Sequence, residues 1–190
     1  MRARSQRGSS SCSPRSTQMA TALEKAIADE KWQSARSIIE GELRREPRNH
    51  WLLSRLALTY YEERKYEEAL VVDEKARALA PDCPLVLWGC AGALSMLDRD
   101  QEAIVVYEQI LSRGIAALAT EKCGEGFARA RGLYADVLYR IALCYEGLED
   151  HECAGLFAQS SLKERGSGCE SIYPIAKIQA LAQRVQRRRA

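Results

Sequence analysis

Residues 51–81 read WLLSRLALTYYEERKYEEALVVDEKARALAP. Leu53, Leu56 and Tyr60 recur at helical spacing and form one stripe of an amphipathic helix. After the polar break at Arg64 and Lys65, the residues Ala69, Val72 and Ala76 form a second stripe. Two helices of about 13 residues are marginal on their own, because nucleation is costly and one apolar face stays wet. The pair must therefore stack on something, and the same chain supplies it. Ala35, Ala69 and Ala103 stand 34 residues apart, as do Pro47 and Pro81. Trp32, Tyr66 and Asp100 precede these alanines by three places. The period predicts repeats over 16–49, 50–83 and 84–117. A fourth lies over 135–168, with Ala142 and Ala154 in the small-residue positions, displaced by an irregular insertion, 118–134.

Composition agrees with a helical, folded chain. Of 190 residues 46% are hydrophobic and 28% charged, values of a soluble domain. The longest run without charge, residues 83–97, is too short to cross a bilayer. Two Phe, five Pro and twelve Gly argue against an all-β fold. Charge is uneven along the chain: Arg2, Arg4, Arg7 and Arg15 open it with no acid. Lys177, Arg184, Arg187, Arg188 and Arg189 close it against Glu170 alone. The body between them is acidic. Residues 1–15, rich in Ser and Arg, offer nothing to bury and read as a disordered tail, with Met19 an alternative start.

The repeat pattern resembles the tetratricopeptide repeat family. Its second copy reads Leu53-x-x-Leu56-Ala57-x-x-Tyr60, then Ala69 and Pro81; its third reads Leu87-x-x-Cys90-Ala91-x-x-Leu94, then Ala103 and Tyr107. The fourth reads Leu138-x-x-Ile141-Ala142-x-x-Tyr145, then Ala154, and the first Met19-x-x-Ala22-Leu23-x-x-Ala26, then Ala35. Asp73 departs from the pattern, standing where an aromatic is usual. The resemblance implies an all-α, right-handed α-solenoid of antiparallel helix pairs whose first helices line a concave groove. On the family's register that groove receives Trp51, Arg55, Leu58 and Tyr61 from the second copy, Trp88, Gly89 and Gly92 from the third, and Tyr139 and Arg140 from the fourth. Trp, Tyr and Arg are the types enriched at binding hot spots. The Lys and Asn residues with which some members clamp chaperone tails are absent from the matching positions.

Past the fourth repeat, Ile172, Ile175, Ile178, Leu181 and Val185 make one more amphipathic pattern within 169–190. Ser171 is placed to cap this helix and Pro174 falls in its first turn. It reads as the capping helix that a stack of repeats requires. Residues 123–126, Cys-Gly-Glu-Gly, read as a linker loop rather than a phosphate cradle, because no Gly-Lys-Ser/Thr accompanies them and no strand precedes.

Catalytic and metal signatures are missing from the sequence. There is no nucleophile elbow, no zinc-protease motif and no dinucleotide fingerprint. His50 and His151 stand at no ligand spacing from any cysteine, so neither a metal site nor a cofactor is expected. Seven cysteines without a C-x-x-C pair or secretory leader read as reduced thiols of a cytoplasmic protein. The expected function is a non-catalytic adaptor or scaffold binding a peptide or protein segment in the groove, with self-association left open. Nucleic-acid or anionic-surface binding through the basic ends is the alternative, and the acidic body speaks against it. The alanine register is directly testable: Ala69→Leu should lower stability by roughly 1–3 kcal/mol through overpacking, read as a drop in thermal midpoint.

Overall fold

The computed structural model describes residues 17–165 and 169–189, so the expected tail over 1–15 lies outside the described residues. Within them the chain forms ten α-helices and no strand. Four antiparallel pairs succeed one another: α1 (Thr17–Ala28) with α2 (Trp32–Leu43), α3 (His50–Glu62) with α4 (Tyr66–Leu79), α5 (Pro84–Met96) with α6 (Asp100–Ser112), and α8 (Phe127–Gly147) with α9 (His151–Arg165). The short α7 (Gly114–Thr120) is inserted after the third pair, and α10 (Ile175–Arg189) closes the array.

Each pair reverses direction through the same device. Glu30, Arg64, Asp98 and Glu149 all hold positive φ, between 55° and 61°. At each turn the next residue's N–H reaches back across the reversal: Lys31 to Ala26 O (2.8 Å), Lys65 to Tyr60 O (2.9 Å), Arg99 to Leu94 O (3.0 Å) and Asp150 to Tyr145 O (2.9 Å). This is the Schellman arrangement, which satisfies carbonyls that the helix end would otherwise orphan. The first three turns are 34 residues apart and the last lies 51 further on, a full repeat plus the seventeen-residue insertion. Four residues beyond each turn bond comes Ala35, Ala69, Ala103 or Ala154. All four have no solvent exposure. A methyl is the largest group these close helix approaches admit.

Successive helices pack in order, and α3 also meets α5 while α6 meets α8 across the insertion. The main core runs through Leu23, Ile39, Leu52, Leu87, Ile110 and Ile141. A second core joins α8 and α9 to α10 through Tyr139, Ala142, Ala158, Ile178, Leu181 and Val185. The expected capping stripe is thus only partly buried: Ile172 and Ile175 stay 70% and 46% exposed. Ser171 does not cap α10 either. Its hydroxyl bonds Asp136 and receives the Tyr173 N–H at 3.2 Å, holding a turn that delivers Pro174 to the residue before the helix. That turn crosses α8 so closely that a Cβ on Gly132 would collide with the Glu170 carbonyl oxygen.

The insertion carries helix on either side of a loop that includes residues 123–126. α7 leaves α6 at 79° through Gly114, whose φ is +70°. α8 begins at Phe127, eight residues ahead of the fourth repeat, and reaches about 32 Å at 1.5 Å per residue. Its first two turns have no counterpart in the other first helices.

Asp73 and Gly89, each irregular in the sequence, explain one another. Asp73 on α4 is 3% exposed and points its carboxylate at α5, where a Cβ on Gly89 would lie 2.6 Å from Oδ2. Gly89 therefore faces the preceding helix and not the expected groove. Asp73 Oδ1 has no hydrogen-bond partner among the described residues. Burial raises this carboxyl to about 8, so it is protonated at neutral pH.

Two outcomes are expected. A folded-state pKa raised from 3.8 to about 8 makes folding take up a proton, so stability is full below pH 4 and declines as pH rises towards 8. By neutral pH the loss is on the order of 4 kcal/mol. Asp73→Asn should flatten this decline in denaturant titrations across that range, gaining most at pH 8. Gly132→Ala should unseat residues 169–174 and cost roughly 1–3 kcal/mol. Amides of α10 should then exchange faster than those of α3; equal protection in both helices would contradict the crossing.

Candidate functional site

Trp51, Arg55, Leu58 and Tyr61 stand on α3 at spacings of three and four residues and so share one face. Asn49 starts that helix by accepting the N–H groups of Trp51 and Leu52 at 3.1 and 3.2 Å. Trp88 and Gly92 stand one turn apart on α5, and Tyr139 and Arg140 on α8. All eight thus lie on the first helices of successive pairs, but the structure divides them into three groups.

Trp51 and Trp88 line a cleft of about 370 Å³. Leu85 from α5, Leu118 from α7 and Leu133 from α8 complete its apolar wall, and Ile172 closes it from the C-terminal segment. Glu125, Arg129 and Glu170 supply charge around it. Arg55 lies over the Trp51 ring with its guanidinium carbon 5.1 Å from the centroid. Burial holds Arg55 below the ordinary guanidinium pKa, with Glu125 and Glu24 acting in the opposite sense. Trp88 meets Tyr107 edge to face at 5.8 Å, which fixes the indole against the core while leaving it half-buried.

The second group surrounds Arg140. Its Nε–H donates to the hydroxyl of Tyr107 at 2.9 Å. Tyr107 is fully buried on α6. Gly92 lies against this group: a Cβ there would meet the Tyr61 ring at 3.6 Å, Arg140 Nη2 at 3.8 Å and the Tyr107 hydroxyl at 4.0 Å. These are ordinary contact distances, and Gly92 is itself buried beneath these side chains. Tyr61 itself packs edge to face on Tyr66 at 5.3 Å, and Leu58 is half-buried on the same helix.

Tyr139 forms the third group. It is 7% exposed and lies edge to face with Tyr173 at 4.9 Å, within the packing that holds α10. The C-terminal segment covers it.

Leu118, Glu125, Arg129 and Ile172 were not among the residues expected at a site. The insertion supplies the first three, and only its irregularity marked it. The apolar pattern did mark Ile172, but as part of a buried stripe.

His50, Cys83 and Cys123 come together despite their sequence distance. Their ligand-type atoms lie within 4.8 Å of one another, and Cys123 Sγ is 3.4 Å from His50 Nε2. Cys123 is disulfide-bonded, which departs from the expectation of reduced thiols throughout. Cys83, Cys90, Cys144, Cys153 and Cys169 are free thiols. Burial raises the Cys83 thiol above its usual range and lowers the His50 imidazole, with Lys122 adding to the latter. With Cys123 in a disulfide, His50 and Cys83 are the two of the three that keep an ordinary ligand atom.

At the α3–α4 turn, Glu63 binds Arg36 at 2.9 Å and Lys65 at 2.7 Å. Those hydrogen bonds, Arg36 first, lower its carboxyl to about 2 and keep it ionised. At the basic C-terminal end, Arg184 is occupied by both oxygens of Glu146 at 2.5 and 2.6 Å. No single helix among the described residues is long and apolar enough to cross a membrane.

No family model matches the chain, and no curated protein matches it in sequence. Solved structures do match in shape. MamA (residues 41 to the end) from Desulfovibrio magneticus RS-1 is similar with a TM-score of 0.69 at 16% identity, covering 90% of this chain and 84% of that one. Another MamA crystal structure gives 0.60 at 18% identity, covering 90% and 86%. A tetratricopeptide repeat protein from Parabacteroides merdae ATCC 43184 gives 0.63 at 17% identity, over 90% of this chain and 60% of that one. With the four matched turns and alanine contacts, these similarities establish that the chain has a tetratricopeptide-repeat-like helical fold.

Proposed function

We propose that this chain is a non-catalytic protein-interaction module that binds a peptide or protein segment along the wall formed by α3, α5 and α8. The observation that carries the reading is the cleft between Trp51 and Trp88, mainly apolar and rimmed by charged side chains. Such a lining suits apolar side chains of a partner, with polar groups at the rim setting orientation. Arg55 over Trp51 presents a planar donor beside an aromatic face, the pairing favoured at hot spots. On this reading the fold serves an adaptor or scaffold role.

The test compares tagged wild-type chain with Trp51→Ala and Ile172→Glu in pull-downs from the source cells, identified by mass spectrometry. Ile172 is 70% exposed, so a charge there enters the cleft without disturbing the core. Both variants should lose the captured partner, with roughly thirtyfold weaker binding for Trp51→Ala and unchanged helical circular dichroism. An identical protein set with both variants, or capture removed by nuclease, would count against the cleft.

A further inference from the structure

His50, Cys83 and Cys123 reach one point from three separate elements. His50 is the first residue of α3, and Cys83 stands immediately before α5. These are the starts of neighbouring first helices, which the repeat sets side by side. Cys123 comes from the loop between α7 and α8. Bonds other than the disulfide hold that loop: the Gly124 N–H donates to Glu121 O at 2.8 Å and the Gly126 N–H to Ala119 O at 3.2 Å. Gly124 also backs onto Ala119 so closely that a Cβ would stand 2.6 Å from the carbonyl oxygen. Two helix starts and a braced loop thus present one imidazole and two sulfurs to a shared centre.

The distances fit a small cation. Bonds of about 2.3 Å to sulfur and about 2.0 Å to nitrogen around a tetrahedral ion set N and S about 3.5 Å apart and two sulfurs about 3.8 Å apart. Cys123 Sγ already lies 3.4 Å from His50 Nε2, and all three donor atoms fall within 4.8 Å of one another. We infer that His50, Cys83 and Cys123 form a Zn2+ site once the disulfide at Cys123 is reduced. Two thiols of a reductant leave as their own disulfide and hand over two electrons and two protons, so Cys123 and the sulfur it was bonded to both become thiols. Zn2+ then takes one lone pair from the imidazole and one from each of the Cys83 and Cys123 sulfurs, and two thiol protons pass to solvent. Burial disfavours a free Cys83 thiolate, but a coordinating thiol is deprotonated by the ion itself. One imidazole and two thiolates are soft donors that suit Zn2+ over oxygen-seeking cations, and the two thiolates cancel its charge in a largely buried place. Cys83 and Cys123 also line the cleft beside Trp51 and Trp88, which gives the ion a path in and leaves the fourth position to water. In the disulfide form Cys123 has no thiolate to offer, so the redox state of one residue decides whether the ion binds.

The experiment reduces the full chain with a water-soluble phosphine, removes the excess under argon, and titrates Zn2+ against a chromogenic chelator, with the unreduced chain in parallel. The reduced chain should take up one equivalent, and the unreduced chain should bind roughly a hundredfold more weakly. Co2+ in place of Zn2+ should give sulfur-to-metal charge transfer and the intense visible bands of a tetrahedral ion. Zn2+ should shield Cys83 and Cys123 from alkylation, read peptide by peptide by mass spectrometry, and leave the partly exposed Cys153 and Cys169 reactive. His50→Ala and Cys83→Ser should each weaken binding by roughly a hundredfold. Cys153→Ser combined with Cys169→Ser should leave it unchanged. The cobalt spectrum and the alkylation pattern are read on the wild-type chain, so they decide even where a substitution unfolds it. No uptake by the reduced chain, or shielding of Cys153 and Cys169 in place of Cys83 and Cys123, would overturn the site. Equal affinity before and after reduction would overturn its control by the disulfide.

Discussion

The array depends on one backbone constraint repeated four times. At Glu30, Arg64, Asp98 and Glu149 a residue with a side chain adopts the left-handed conformation that glycine takes more easily. Each such residue turns the chain back on itself within three positions and starts the second helix in a set phase. That phase brings Ala35, Ala69, Ala103 and Ala154 to the closest helix approach, and the core is then decided by which residues lie on the same face. The strain at each turn is small beside the burial it organises, and the six-to-one hydrogen bonds hold it in place.

This is why the fold was legible from the chain. A period of 34 carried by alanines is a geometric statement about helix spacing, and the alanines proved fully buried. The displaced fourth pair could be placed for the same reason. The turns were harder to read, since Glu, Arg and Asp at the left-handed position carry no glycine signature. Asp73 and Gly89 stood out as local irregularities. Neither signals the other, because their complementarity crosses two helices and exists only once α4 and α5 pack.

The candidate site was legible in part. Residues on the first helices came from the repeat register, and Trp51 and Trp88 do line one cleft. Tyr139 shows the limit of that register. A position that would face outward in an interior repeat is covered here because the closing segment lies across it, and periodicity carries no information about the chain beyond the last repeat. The far wall of the cleft, from α7 to the start of α8, belongs to the stretch outside the 34-residue period. His50, Cys83 and Cys123 meet for a related reason: the loop before α8 folds back over the starts of α3 and α5.

The seventeen extra residues fall between the turns at Asp98 and Glu149, in α7, its loop and the lengthened start of α8, and α6 still packs on α8. Chain length can therefore change at this junction without rotating any later pair out of step. An insertion inside a pair would shift the turn and misalign every alanine after it. The junction behaves like the gap between two bricks in a course: material added there builds outward, and the masonry on either side keeps its bond.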